Sequence, residues 1–261
     1  MRLSLCGARV AGKPPAWQTA SVLFADYAAR WTASVPAPAE WFTYSTVVER
    51  GREFPLLGLR LPGRRTVLLT AGFHGDEKAG PLTLLDHTPE IVAYALERGV
   101  GLHMYPCINP SGFEVHTRYN LSGERPNNDF LRYELAPGVW AGERRVGQPY
   151  LNVTPVGDGA PKETVALARQ LAAWPAPFAA LDLHQDNFIH AAWFYAYVFG
   201  DLAAYRPLLA RSGALVPVLR GSIVDSGQAP GTEVFADPEG FIVCHDGSIT
   251  DKCQHDGVRY T

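Results

Sequence analysis

His74 and Glu77 lie shortly after the apolar, β-branched run Thr66–Ala71, and their types and spacing suggest that they bind a metal ion. A spacing of i, i+3 places both side chains on one face of a helical turn, where an imidazole and a carboxylate can bind one metal ion at about 2.0–2.2 Å. The same pattern also fits the start of a surface helix, in which Asp76 and Glu77 interact favourably with the helix dipole. The position directly after a buried strand favours the metal site.

A second histidine, His184, follows another apolar run, Phe178–Leu183. Two histidines and one carboxylate would leave one position of a tetrahedral zinc site open for water, which is typical of catalytic rather than structural zinc. Asp182 and Asp186 flank His184, and a carboxylate placed there could orient the imidazole ring. The two motifs together therefore supply a candidate set of metal ligands.

The polar segment 109–130 lies between the two motifs and contains Arg118. A guanidinium group near the metal could polarise a carbonyl group and hold a developing oxyanion. The alternative is an arginine that pairs with Glu114 or Glu124 on the same loop. Both interpretations remain open from the sequence.

Hydrophobic periodicity places these polar segments after predicted strands. The predicted strands are 42–49 and 53–61, which form a hairpin, and 66–71, 101–108 and 178–183; the predicted helices are 17–31, 79–86, 89–98 and 162–173; and 109–160 is a long loop. Strands that alternate with helices indicate an α/β sheet that is at least partly parallel. In such sheets ligands bind outside the carboxyl ends of the strands, so we expect the three polar segments to converge.

The composition narrows the class of protein. The chain has 261 residues, 47% of them hydrophobic and 19% charged, and a formal net charge of −3, which argues against disorder and against binding of nucleic acid. The four cysteines are too few and too scattered for a disulfide scaffold. No apolar stretch approaches the roughly 20 residues of a membrane span, and the first residues lack a signal peptide's apolar core. We expect a cytoplasmic protein with no membrane contact.

Four motifs in a fixed order resemble a known family. HGDE at 74–77, NPSGF at 109–113 followed by Arg118, N-x-D-F at 127–130 and DLHQD at 182–186 are similar to the carboxypeptidase A-like zinc peptidase superfamily. That superfamily includes the murein-peptide amidases and the succinylglutamate desuccinylase/aspartoacylase branch. The resemblance covers residues 42–261 and leaves 1–41 as an N-terminal helical extension. It implies one α/β catalytic domain with a mixed, mainly parallel twisted sheet of about eight strands flanked by helices.

The resemblance also implies roles for individual residues. His74, Glu77 and His184 would bind Zn²⁺, and Arg118 would polarise the scissile carbonyl. Asn127 and Asn128 would bind the substrate, at the place where many peptidases of this family carry Asn-Arg. Asn128 cannot offer a carboxylate the charged, bidentate contact of an arginine, although Arg125 or Arg132 could substitute for it.

The general base departs further from the family pattern. The family places a glutamate on a late strand, often written E-T-P, and the only glutamates after His184 are Glu233 and Glu239. We therefore expect a chain truncated before its last strand, with the base beyond Thr261. The alternative is that Glu233 or Glu239 turns inward and serves as the base.

These observations predict a zinc-dependent metallopeptidase, similar to metallocarboxypeptidases, that hydrolyses a peptide or amide bond through a metal-activated water. One alternative is an N-acyl-amino-acid deacylase like the succinylglutamate desuccinylases and aspartoacylases. Another is a metal-binding module that is inactive because it lacks the general-base glutamate. The expected partner is a peptide or an N-acyl amino acid.

Overall fold

The structure is a computed structural model that describes residues 2–5, 23–127, 129–145, 147–155, 157, 159–185, 194–199, 202–224, 234–243 and 245–258. In chain order its elements are β1 (Arg2–Leu5), α1 (Phe24–Ser34), β2 (Glu40–Glu49), β3 (Arg52–Leu61), β4 (Arg65–Ala71), α2 (Ala79–Arg98), β5 (Val100–Tyr105), α3 (Pro110–Val115), β6 (Leu131–Ala136), β7 (Val139–Ala141), β8 (Asn152–Pro155), α4 (Lys162–Ala172), β9 (Ala179–His184), β10 (Phe194–Tyr197), a 3₁₀ turn (Leu202–Ala204), α5 (Arg206–Gly213), β11 (Ser222–Val224), β12 (Val234–Ala236), β13 (Phe241–Ile242) and α6 (Ile249–His255).

Eight strands form the main sheet, in the order β13-β10-β1-β9-β4-β5-β3-β2. The central strands β1, β9, β4 and β5 run parallel, whereas β10 pairs antiparallel with β1, and β3 pairs antiparallel with β5 and β2. The expectation of a mixed α/β domain is confirmed. The expectation of a mixed, mainly parallel sheet of about eight strands is confirmed in part: the main sheet is mixed and has eight strands, but the described strands also form two small sheets, β7-β6-β8 and β11-β12.

The hairpin and the strand before the HGDE motif lie where the sequence predicts them. Strands β2 and β3 are joined through Arg50 and Gly51, whose φ angles of 48° and 77° give the turn its left-handed backbone. Strand β4 begins one residue before the predicted run and ends with it at Ala71. The strand predicted over 101–108 is shorter, because the chain leaves the sheet after Tyr105.

The described parts of residues 1–41 pack into the same sheet and core as the rest of the chain. Strand β1 lies between β9 and β10, with Ser4 in register with His184. Helix α1 buries Tyr27 and Trp31, and the Trp31 indole donates to Thr88 Oγ1 at 3.1 Å. Residues 17–22 of the predicted helix lie outside the described residues, and the domain boundary at residue 41 stays a prediction.

The prediction of two helices over 79–98 is wrong, because α2 runs unbroken through Pro89. Proline removes one backbone donor from a helix and usually kinks or ends it. Here Leu84 and Leu85 before the proline and Val92 and Ala95 after it are buried along one face. Burial of this continuous apolar face keeps the helix in one piece.

The segment 109–160, expected to be a loop, carries helix α3 and the three-stranded sheet. Its strands are three to six residues long, which is too short to give a clear alternation in the sequence.

In the described part of the chain, no helix is both long enough and apolar enough to span a bilayer.

Candidate metal centre

The structure brings His74, Glu77 and His184 together at the carboxyl ends of β4 and β9. One ligand atom of each lies within 4.8 Å of the others, and all three side chains are buried. Glu77 bridges the histidines, with Oε1 2.7 Å from His74 Nδ1 and Oε2 2.7 Å from His184 Nδ1. Because β4 and β9 are adjacent and parallel, their last residues must meet at the same edge of the sheet.

Two glycines allow the HGDE motif to reach this place. Gly72 follows β4 with a φ of +71°, a conformation that side chains disfavour. At Gly75 a Cβ atom would lie 2.0 Å from the carbonyl carbon of Gly112, so only glycine permits this contact with α3. His74 and Glu77 occupy a tight turn, closed by the Glu77 N–H to the His74 carbonyl at 3.1 Å, and α2 begins only at Ala79.

Asn109 fixes the same turn from the other side. Its carboxamide oxygen accepts from Gly112 N at 2.9 Å and caps α3, while its Nδ2 donates to the Phe73 carbonyl at 3.3 Å. The sequence contained a signal for this cap, since Asn109 precedes a proline at the first position of the helix. The contact with Phe73 had no signal in the sequence.

Asp182 orients the His184 ring. Its Oδ2 lies 2.7 Å from His184 Nε2, and its Oδ1 accepts from Thr70 Oγ1 at 2.9 Å. The Phe73 ring is nearly parallel to the His184 ring, with an interplanar angle of 5°. Of the two carboxylates considered from the sequence, Asp182 takes this role, and Asp186 lies outside the described residues.

The surroundings hold His74 and Glu77 in the protonation states that bind metals. Burial lowers the pKa of His74 to about 3, and Arg118 and His184 add to this shift while Glu77 opposes it. Burial alone would raise the pKa of Glu77, but His74 and His184 outweigh it and hold that pKa well below its usual range. At neutral pH His74 is therefore neutral and Glu77 ionised, as metal coordination requires.

Arg118 lies at the centre and not in either of the loop pairs considered from the sequence. Its Nη1 donates to Glu77 Oε1 at 2.9 Å, and its side chain is 24% exposed. Glu114 instead pairs with Arg52 at 2.6 Å, and Glu124 accepts from Asn120. The guanidinium is therefore next to the candidate ligands and still open to solvent.

The other predicted site residues have different outcomes. Asn127 is fully buried, and neither atom of its amide has a hydrogen-bond partner among the described residues. Asn128 and Glu233 lie outside the described residues. Glu239 does not turn inward as one alternative required, because it pairs with Arg206 at 2.6 Å in a surface turn.

Arg125 is a neighbour of the centre that the sequence suggested but could not place. Its Nε lies 3.5 Å from His74 Nε2, on the side of the ring opposite Glu77. Arg132, the other candidate, is exposed on β6 and lines a cavity of about 460 Å³ together with Asp129 and Trp140. Of Arg125 and Arg132, it is Arg125 that contacts a candidate metal ligand.

We expect Asp182→Asn to weaken metal binding about 10–100-fold, because the amide cannot replace the charged acceptor that orients His184. Competition with a chelator would measure the zinc dissociation constant. Asp86→Asn, on the exposed face of α2, is the matched control and should leave that constant unchanged. Equal affinities in both variants would mean that Asp182 has no part in holding the ring.

Comparisons with known proteins show the fold. A metallopeptidase, so named, from Shewanella denitrificans OS217 has a TM-score of 0.64 and 20% identity, over 91% of this chain and 78% of that one. A protein from Shewanella baltica OS155 that is named as a metallopeptidase has a TM-score of 0.62 and 22% identity, over 91% of this chain and 80% of that one. A protein named carboxypeptidase A from Shewanella denitrificans OS-217 has a TM-score of 0.57 and 13% identity, over 91% of this chain and 58% of that one.

No protein-family model matches the sequence, and no curated protein matches it. The resemblance to the zinc carboxypeptidase-like proteins is confirmed for the fold by these structures. At such low identity the likeness carries no specific activity.

Proposed function

We propose that the protein is a zinc-dependent metallopeptidase or amidase that hydrolyses a peptide or amide bond. The observation that carries this proposal is the buried group of His74, Glu77 and His184, whose ligand atoms lie within 4.8 Å of one another. Two imidazoles and one carboxylate suit zinc, and the bond from Asp182 to His184 is the usual support of such a ligand. The fold supports the same class of enzyme.

Zinc held by such ligands supplies Lewis acidity, which polarises a carbonyl group and lowers the pKa of water. The residues around the centre would do the remaining work. Arg118, 2.9 Å from Glu77 Oε1, places a fixed positive charge where negative charge develops on the carbonyl oxygen of the substrate. Asn127 offers a buried amide whose donors and acceptor are unused among the described residues, and it would bind the substrate.

A carboxylate would take a proton from the attacking water and pass it to the leaving amine. Glu239 is excluded from this role by its pairing with Arg206 at the surface. Glu233 stays a prediction. The proposal of an inactive metal-binding module depends on this same point, and turnover by the zinc-loaded protein would refute it.

The choice between a peptidase and an N-acyl-amino-acid deacylase depends on how a substrate carboxylate is held. Asn128 cannot form the bidentate charged contact of an arginine, and this favours the deacylase. Arg125 lies 3.5 Å from His74 Nε2, so a guanidinium capable of that contact is present beside the ligands. We therefore propose the peptidase first and the deacylase second.

A substrate screen tests the proposal. We expect zinc-loaded protein to cleave hippuryl-type peptides, and to lose this cleavage when a chelator removes the metal. N-acetyl- and N-succinyl-amino acids form the second panel. Cleavage of the second panel alone would favour the deacylase, and cleavage of neither panel would contradict the hydrolase proposal.

A further inference from the structure

The loop 117–126, which follows α3, carries an arginine near each end, and both arginines contact candidate metal ligands. Arg118 Nη1 lies 2.9 Å from Glu77 Oε1, and Arg125 Nε lies 3.5 Å from His74 Nε2. The position of both guanidinium groups therefore depends on how the loop between them is held.

The buried Asn120 amide helps to hold this loop, together with contacts from Ser111, Glu49 and Thr164. Asn120 Oδ1 accepts from the backbone N–H groups of Ser122 at 3.1 Å and Glu124 at 2.8 Å, which closes the loop on itself. Asn120 Nδ2 donates to Glu124 Oε2 at 2.9 Å and to Glu163 Oε2 at 3.1 Å. The second contact ties the closed loop to the first turn of α4.

Glu163 is an unusual residue for this task, because it has no exposed surface and no ion pair with a described residue. Facing it are Tyr44 and Glu49 from β2 and Glu124 from the loop. Lys162, on the same helix, pairs with Glu49 at 3.2 Å instead. Burial raises the pKa of Glu163 to about 7, and Glu49 and Glu124 add to this shift while Asn120 opposes it.

We propose that Glu163 is a positioning residue, which acts through Asn120 to hold Arg118 and Arg125 against the metal ligands. The inference deepens the proposed function and rests on it, because the two arginines would be positioned for hydrolysis at the metal centre. A neutral glutamine would fill the same space without an uncompensated buried charge. The ionised carboxylate, however, accepts a stronger hydrogen bond from Asn120 than a neutral group does.

Stability and loop order should therefore change in opposite directions with pH. Because the pKa of Glu163 is higher in the folded protein than in the unfolded chain, the folded state binds the proton more tightly. Its contribution to stability is lost as the pH rises from the unfolded pKa through about 7. Over the same interval the carboxylate ionises and its bond to Asn120 strengthens, so the loop becomes more ordered.

Glu163→Gln tests this with two measurements that need no activity. At pH 8 we expect the variant to melt roughly 5 °C above the wild type. We expect its backbone amides in 117–126 to exchange with deuterium about fivefold faster, after correction for intrinsic rates. At pH 5.5 the two proteins should differ little. Glu97→Gln, which removes an exposed carboxylate at the end of α2, should match the wild type in both measurements.

Asn120→Ala gives a second approach, since it removes the loop's hydrogen bond to Glu163 and leaves Glu163 in place. Loop exchange should then be fast at both pH values. Loss of both stability and loop protection in Glu163→Gln would show a merely structural residue and overturn the proposal. Loop exchange that is unchanged in Glu163→Gln would overturn it as well.

Turnover supplies a separate measurement. With a cleaved substrate, Glu163→Gln should lower kcat about tenfold at pH 8 with KM within about twofold, as loss of an interaction made mainly in the transition state does. In the wild type we expect kcat to rise as Glu163 ionises near pH 7, and this rise should be absent from Glu163→Gln. No turnover by the zinc-loaded wild type would contradict the proposed function, and the exchange measurements would still decide whether Glu163 orders the loop.

Discussion

Replacing His74 or His184 by alanine is expected to abolish stoichiometric zinc binding and, with it, all hydrolysis. Each substitution removes one of the three donors that lie within 4.8 Å of one another. Two donors hold zinc far more weakly than three. The loss of zinc affinity should therefore exceed the roughly 10–100-fold loss expected when a residue that hydrogen-bonds to a ligand, such as Asp182, is replaced. Metal analysis after dialysis should give one zinc per wild-type chain and almost none in either variant.

The design of this experiment must separate metal loss from unfolding. Both histidines are hydrogen-bonded to the buried Glu77. Removal of either one takes a hydrogen-bond partner from this buried carboxylate, which destabilises the folded protein. Glu77→Gln is the additional variant, because it keeps the shape of the side chain while it removes the charge and replaces one acceptor oxygen by an amide donor. Circular dichroism would confirm that each variant is folded.

His245→Ala is the matched control for loss of a histidine. His245 lies 3.2 Å from Asp251 Oδ1 and does not belong to the group of three ligands, so its removal should leave one zinc per chain. Stoichiometry that is unchanged by His74→Ala and His184→Ala would refute the metal site.

The convergence of the site could be predicted from the sequence because it follows from a rule about parallel strands. His74 and His184 follow apolar runs, and strands β4 and β9 are adjacent and parallel in the structure. Ligands and their supporting residues then meet outside the carboxyl ends. The hairpin was also predictable, since Arg50 and Gly51 interrupt two strand-like runs.

Apart from the local contact of Asp182 with His184, the supporting contacts could not be predicted, because they join residues far apart in the chain. Arg118 and its partner Glu77 are 41 positions apart, and the sequence offered Glu114 and Glu124 as nearer partners. Asn120 and Glu163 are 43 positions apart, and nothing local marks either as an anchor. Such pairs depend on how loops pack after the sheet has formed.

The small sheet and helix α2 show two other limits of periodicity. Strand β7 has three residues, which is too few for an alternating pattern. In α2 the local effect of Pro89 was weaker than burial of the apolar face on both sides of it. Tertiary packing therefore determined the structure in both cases, where the local sequence gave no signal for β7 and opposed an unbroken α2.

Arg118→Ala is expected to lower kcat by about 10²–10³, the usual cost of removing one donor from an oxyanion-binding site. The guanidinium lies 2.9 Å from Glu77 Oε1 and remains partly open to solvent, so it can reach a carbonyl oxygen bound beside the ligands. Because its interaction strengthens as negative charge develops, KM should change much less than kcat. Steady-state kinetics on a cleaved substrate measures both constants.

Arg118→Lys should recover only part of the activity, since lysine keeps the charge but lacks the planar group with several fixed donors. Arg206→Ala, which removes an arginine from the surface pair with Glu239, is the control and should leave kcat unchanged. Zinc stoichiometry should stay at one in all three variants under saturating zinc. A raised KM with kcat within twofold of the wild type would place Arg118 in ground-state binding instead, because such a pattern reports an interaction made equally with the substrate and the transition state.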